Sequence, residues 1–187
     1  MRLLILISTL IIIGCSDSSK EKMKTLDFIQ FTIEVPNNWD KVKQRGIDSF
    51  VGQIAIDETD TVHFDLGWYS NDLEEQVHFF VNDGKVHLLN EELSRNDSLI
   101  YNFVGTIDTV DTSAFRKNLV SWTTIDNRKA KVIQPKKSGN GMTGMFIDSL
   151  WVAGSGIDRF QINGKDLKPE NERLLIEAIK TIRFKDR

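Results

Sequence analysis

The chain has 187 residues, 24 of them basic and 27 acidic, for a formal charge of −3, and it carries a single cysteine. That length suits one domain with a sizeable core rather than two, and one cysteine leaves no disulfide framework to hold it. No broad basic stripe runs along the chain, so neither nucleic acid nor electrostatic attachment to anionic lipid heads is expected.

Arg2 precedes a run of mostly aliphatic residues from Leu3 to Ile13 that ends in Gly14-Cys15, the layout of an export signal. A membrane-crossing helix needs roughly 20 apolar residues, and the polar stretch beginning at Ser16 arrives too early for one. Ile12-Ile13-Gly14-Cys15 resembles the lipobox of bacterial lipoproteins. By that resemblance residues 1–14 are removed, the thiol of Cys15 receives diacylglycerol, and the freed amine is open to a third acyl chain. Each buried methylene contributes about 0.8 kcal/mol and one chain holds only reversibly, so two or three chains give a durable anchor. An acylated sulfur also removes the liability of a free thiol in an oxidising compartment. Without its signal the chain carries 23 basic and 27 acidic residues, a formal charge of −4.

Residues 16–24 are polar and aperiodic and read as a short tether, so that 15–25 form the lipidated cysteine with its linker and 26–187 the single domain. From Ile29 the chain alternates, with Ile29, Phe31, Ile33 and Val35 on one side until Pro36. Phe50, Gly52, Ile54 and Ile56 alternate next, and Asp57-Glu58-Thr59-Asp60 leads to a return run with Val62, Phe64, Leu66 and Trp68 on one face, an antiparallel hairpin. Asn71 to Gln76 carries a short helical signal. Asp83-Gly84 accepts the positive φ angles of a tight turn and places Val77, Phe79, Val81, Val86 and Leu88 on one side of a second hairpin. Further strands are expected over 99–106, 118–125, 129–134, 144–151 and 157–162, and short connections favour antiparallel neighbours.

The last element is a helix, with Pro169 at its first position, Glu170 and Glu172 at the positive end of its dipole, and Leu167 over its start. Its apolar stripe is Leu174, Leu175, Ala178, Ile179 and Ile182, while Arg173, Glu177 and Lys180 stay wet. The fold class is therefore α+β, a mainly antiparallel sheet packed against a C-terminal amphipathic helix. Phe31-Thr32-Ile33-Glu34-Val35-Pro36-Asn37-Asn38-Trp39, a strand closed by proline and then tryptophan, and the closing stretch from Leu174 to Phe184 together resemble the PsbP-like fold, named for an extrinsic protein of photosystems. Members of that group bind partner proteins more often than they catalyse, so the resemblance implies a binding or assembly module and carries over no catalytic residue. Trp39 by itself reads as a core plug.

Candidate chemistry is sparse. Gly139-Asn140-Gly141-Met142-Thr143-Gly144 fits a dinucleotide-loop spacing, but strand follows it where a helix is required, so it reads as a hairpin loop begun by Pro135. Gly154-Ser155-Gly156 lacks the spacing of a nucleophile elbow, and Ser155 reads as a turn residue. Across the Asp83-Gly84 turn, His78 and His87 are diagonal neighbours on one face, close enough for both to reach one metal ion, with His63 beside Asp65 on another hairpin. The acidic groups Asp57-Glu58-Thr59-Asp60 and Asp108-Thr109-Val110-Asp111 lack the spaced ligands of a calcium loop and read as solvated turns. Arg128-Lys129-Ala130-Lys131 and Lys136-Lys137 read as solvated hairpin and loop residues.

Taken together, the expectation is a noncatalytic lipoprotein of a bacterial envelope. It is anchored through acylated Cys15 to the inner or outer membrane, and its domain faces the periplasm or cell surface. It binds an envelope protein through a sheet face or loops and has no cofactor. The alternative is a carrier of small molecules or metal, with a pocket between sheet and helix or at His78 and His87.

Overall fold

Period-two burial marks the strands at 31–36, 50–55, 61–67 and 156–165 of the computed structural model, which describes residues 22–42, 46, 49–75, 79–82, 85–88, 116–153 and 156–186. Strand β1 (Met23–Asp27) turns at Phe28 into β2 (Phe31–Pro36), which buries Phe31, Ile33 and Val35. Strand β1 thus takes in residues 23 and 24 of the stretch read as tether. Ile29 does not join the core and is 76% exposed. Phe28 is buried instead, stacked on Phe31 at 4.8 Å, and the turn between them is closed by mutual backbone hydrogen bonds.

After the short β3 (Asp40–Val42) come β4 (Phe50–Ala55) and β5 (Thr61–Gly67), which pair as a hairpin and bury Ile54, Val62, Phe64 and Leu66 on one face. Trp68 leaves that face at the turn and is half exposed. Strands β6 (Phe79–Asn82) and β7 (Lys85–Leu88) pair with Asn82 opposite Lys85, the register expected for a two-residue turn. Strands β8 (Asn118–Ile125), β9 (Arg128–Pro135), β10 (Met142–Ala153) and β11 (Gly156–Lys165) form a meander. The helix α1 (Pro169–Lys180) and the two-residue β12 (Arg183–Phe184) follow β11. The candidate strand over 99–106 lies outside the described residues.

A seven-stranded sheet of order β3-β4-β5-β11-β10-β9-β8 makes one layer, and α1 with a three-stranded sheet of order β1-β2-β12 makes the other. Every neighbour is antiparallel. The class is α+β, with the helix on the sheet. Between the layers lie Phe31, Phe64, Phe160 and Phe184, with Phe31 edge-on to Phe64 at 5.0 Å and to Phe160 at 5.1 Å. The whole expected stripe of α1 and Ile182 is buried against them, and Trp39 is fully buried in the same core. Near the end of β10 the register shifts between Ile147 and Trp151, and Leu150 turns into the core.

No helix forms at residues 71–75. Asn71 Oδ1 accepts the amide of Leu73 and Asp72 Oδ1 that of Glu74, two successive side-chain turns that take donors a helix would need. Leu73 adopts a left-handed φ of 58°, unusual for a bulky residue, and is buried against Ile133 and Phe146 on the sheet face opposite α1.

Candidate functional site

Strand β8 closes one edge of the large sheet, and its geometry follows from its turn. Asp126 and Asn127 have φ of 46° and 62°, the left-handed pair of a type I′ hairpin, so Ile125 and Arg128 form the first hydrogen-bonded pair. Arg128 and the amide of Phe184 hold the Asp126 carboxylate at 2.9 and 3.0 Å, which ties this turn to β12. Hydrogen-bonded pairs alternate in an antiparallel ladder, so Ser121, Thr123 and Ile125 bond inward to β9, and the backbone groups of Asn118, Val120, Trp122 and Thr124 project away from the sheet. The bond from Lys136 N to Lys117 O at 2.7 Å continues the inward set.

The outward edge is closed at one end. Glu75 accepts the amide of Asn118 at 3.0 Å, its side-chain nitrogen at 2.8 Å and the amide of Lys117 at 2.7 Å. Beyond that clamp, no described residue pairs with the backbone of Val120, Trp122 or Thr124. The side chains are equally open: Trp122 is 59% exposed, Leu119 56% and Val120 51%. Leu119 and Ser121 lie on the face that carries α1, and Val120 and Trp122 on the opposite one, so residues 119–122 are exposed on both faces, while Ile125 at the turn end is buried. It contains no charge, proline or register shift, the devices that protect a sheet edge from pairing with another chain.

The surroundings position this edge. Lys129 lies over the Trp122 ring at 4.5 Å and Lys131 over Phe146 at 5.4 Å, so these lysines, expected to be merely solvated, pack on aromatic faces. Arg128 likewise sits 5.1 Å from the Phe184 ring. Beside β8 a cavity of about 290 Å³ is walled by Leu73, Glu75, Arg116, Val120, Lys131 and Ile133.

The acidic turn Asp57 to Asp60, expected to be solvated, caps α1. Lys168 precedes the helix without a side-chain cap of its own. Asp60 Oδ2 accepts the Lys168 amide at 2.8 Å and Asn171 Nδ2 at 2.7 Å, while Asp57 Oδ2 accepts Lys168 Nζ at 2.9 Å. The second layer is thereby fastened to the β4–β5 hairpin. Lys168 and the amides of Thr59 and Asp60 hold the Asp57 carboxyl well below the usual carboxylate range. Burial pushes Asp60 upward, but Asn171, the Lys168 amide and Thr59 outweigh it and leave that group lowered as well.

The glycine run at residues 139–144 is a β9–β10 loop entering a strand. Glu172 accepts the Gly139 amide and Asp166 that of Gly141, pinning the loop beside the start of α1. His63 is exposed, its Nδ1 3.0 Å from Gln53 Nε2, in a row with Asn163 across three strands of the face opposite α1. Pairing places His87 opposite Phe80, and His78, Cys15, Ser155 and the Asp108 to Asp111 group lie outside the described residues. Among the described residues no three His, Cys, Asp or Glu side chains gather as a metal site would require, and no helix is long and apolar enough to cross a membrane. The interface between sheet and helix is filled by Met145, Ile147, Leu174, Leu175, Ala178 and Ile179. Beside α1 there is instead a groove of about 340 Å³ walled partly by Glu172, Arg173, Ile176, Glu177 and Lys180.

Sequence reasoning missed β8 as a site. Its signal was present in Leu119, Val120 and Trp122, three apolar residues that break the alternation of a half-buried strand. No protein-family model matches this chain, and no curated protein matches it.

Proposed function

We propose that this chain is a lipid-anchored envelope lipoprotein, held through acylated Cys15, that works as a noncatalytic protein-binding or assembly module. Its docking element is the edge of β8 that no described strand pairs. One observation carries this reading: an eight-residue, uncharged strand in which Leu119, Val120 and Trp122 are more than half exposed and the outward backbone groups of Val120, Trp122 and Thr124 have no partner among the described residues. An added strand would satisfy those groups with main-chain hydrogen bonds while Trp122 and Val120 supply apolar contact. The resemblance to the PsbP-like fold, whose members bind partner proteins more often than they catalyse, implies the same kind of role. Seven residues separate Cys15 from the start of β1, a reach of at most about 29 Å, which keeps the domain close to the membrane surface.

The test is in-cell photocrosslinking from position 122, followed by mass spectrometry. A protein adduct that forms in wild-type background and disappears with Val120→Pro supports the docking role. A chain that yields no protein adduct from position 122, or the same adducts with and without that proline, refutes it. Acylation is read separately, by fatty-acid labelling that Cys15→Ser should abolish.

A further inference from the structure

We infer that the strand added to β8 is β8 of a second copy, paired antiparallel about a two-fold axis passing between the two Trp122 residues; this deepens, and rests on, the docking role of that edge. Among the described residues the open backbone groups belong to Val120, Trp122 and Thr124, because Glu75 already occupies the Asn118 amide and the type I′ turn ends the strand after Ile125. That stretch is centred on Trp122. A two-fold through its centre sets Trp122 opposite Trp122 and Val120 opposite Thr124 of the second copy, so all three residues find outward-facing counterparts. Moving the axis to Ser121 would set Thr124 opposite Asn118, whose donor is already used by Glu75. The available groups therefore select one register.

Charge favours the same occupant. The processed chain is acidic overall, yet β8 carries no ionisable side chain, so no like charges stand opposite each other within the paired strands, and the nearest cation of each copy, Lys129, stays on β9 over its own Trp122 ring. Equally, the strand has no charge with which to select a strand of opposite sign. In the self-paired ladder Ser121 faces Thr123 of the second copy, hydroxyl against hydroxyl, and Leu119 stands opposite Ile125, whose side chain is already buried in its own core. The seven-stranded sheet becomes continuous across the axis. One strand pair buries less than the roughly 1,200–2,000 Å² of a stable complex, so the pairing is weak in dilute solution and is favoured where anchored copies share a membrane plane.

Disulfide trapping in membranes of cells producing the full chain tests the register. A hydrogen-bonded antiparallel pair places its Cα atoms about 5.5 Å apart, within disulfide range, so Trp122→Cys should give a homodimer on mild oxidation. Leu119→Cys is the control, since its two copies would lie about 20 Å apart along the strand axis and should remain at the wild-type baseline. Adding Val120→Pro or Thr124→Pro to Trp122→Cys should return the dimer to that baseline while the purified variants keep the wild-type circular dichroism spectrum, because those amides face away from β9. Equal trapping at 119 and 122, absence of the 122 dimer, or a dimer insensitive to both prolines would overturn self-pairing. Trapping of a different protein at 122, lost with the prolines, would overturn self-pairing yet leave the docking role of β8 standing.

Discussion

Removing the Asp60 carboxylate should loosen the joint between the two layers, and the geometry sets the size of the effect. The group is 7% exposed and accepts two hydrogen bonds through Oδ2, from the Lys168 amide at 2.8 Å and from Asn171 Nδ2 at 2.7 Å. The first is the side-chain cap of a helix that has none within its own sequence, a contact worth about 1 kcal/mol. The second satisfies a buried amide that keeps one other acceptor, Asp57 at 3.0 Å, so its loss costs about another 1 kcal/mol. Asp60→Ala should therefore destabilise by about 2 kcal/mol, a fall in Tm of about 4–8 °C for a domain of this size. Thermal and urea unfolding followed by circular dichroism would measure it. A double-mutant cycle with Asn171→Ala should show coupling of about 0.5 kcal/mol or more. A loss under about 0.5 kcal/mol with no coupling would show that the start of α1 is held by packing alone, and the capping argument would be wrong.

Acid should attack the same joint. Asp57 and Asp60 both titrate below their ordinary value when folded, so their stabilisation is present above pH about 4 and is lost as pH falls through the folded values; Tm should decline below pH 4 and decline less steeply in Asp57→Asn, as thermal scans from pH 7 to 3 would show. Gly144→Ala should cost about 1–3 kcal/mol, since a Cβ there would stand 2.4 Å from the Ile162 carbonyl oxygen and 2.7 Å from Asn163 Cβ on the neighbouring strand; an unchanged urea midpoint would contradict the close approach of β10 and β11. Phe160→Ala should cost about 3–5 kcal/mol from the centre of the aromatic cluster, whereas Trp122→Ala should change monomer stability by under about 1 kcal/mol. Comparable losses at the two positions would mean that Trp122 is part of the core.

Much of the fold was legible because period and face coincide. Alternation located β2, β4, β5 and the strands of the meander, Asp83-Gly84 marked the β6–β7 register, and the stripe from Leu174 to Ile182 identified the buried side of α1. Other features had no local signal. Strand β1 is mostly polar and buries only Leu26, since it contributes backbone pairing to β2 more than side chains to the core. The helical spacing after Asn71 lost to side-chain turns and to the pocket that Leu73 fills across the sheet.

The amino-acid sequence by itself determined the α+β class, which residues share a face, and the type of each major element, because these depend on neighbours a few positions away. It also contains the Cys15 pattern from which the anchor is proposed. Only the tertiary structure decided which faces are covered. Strand β5 lies beside β11 and β8 is left at the rim, and that strand order is set by contacts far apart in the chain. The same distance explains why the Asp57 to Asp60 turn reads locally as solvated yet caps a helix more than a hundred residues later, and why Leu119, Val120 and Trp122, which alone look fit for a core, lie exposed on a strand with one partner among the described residues.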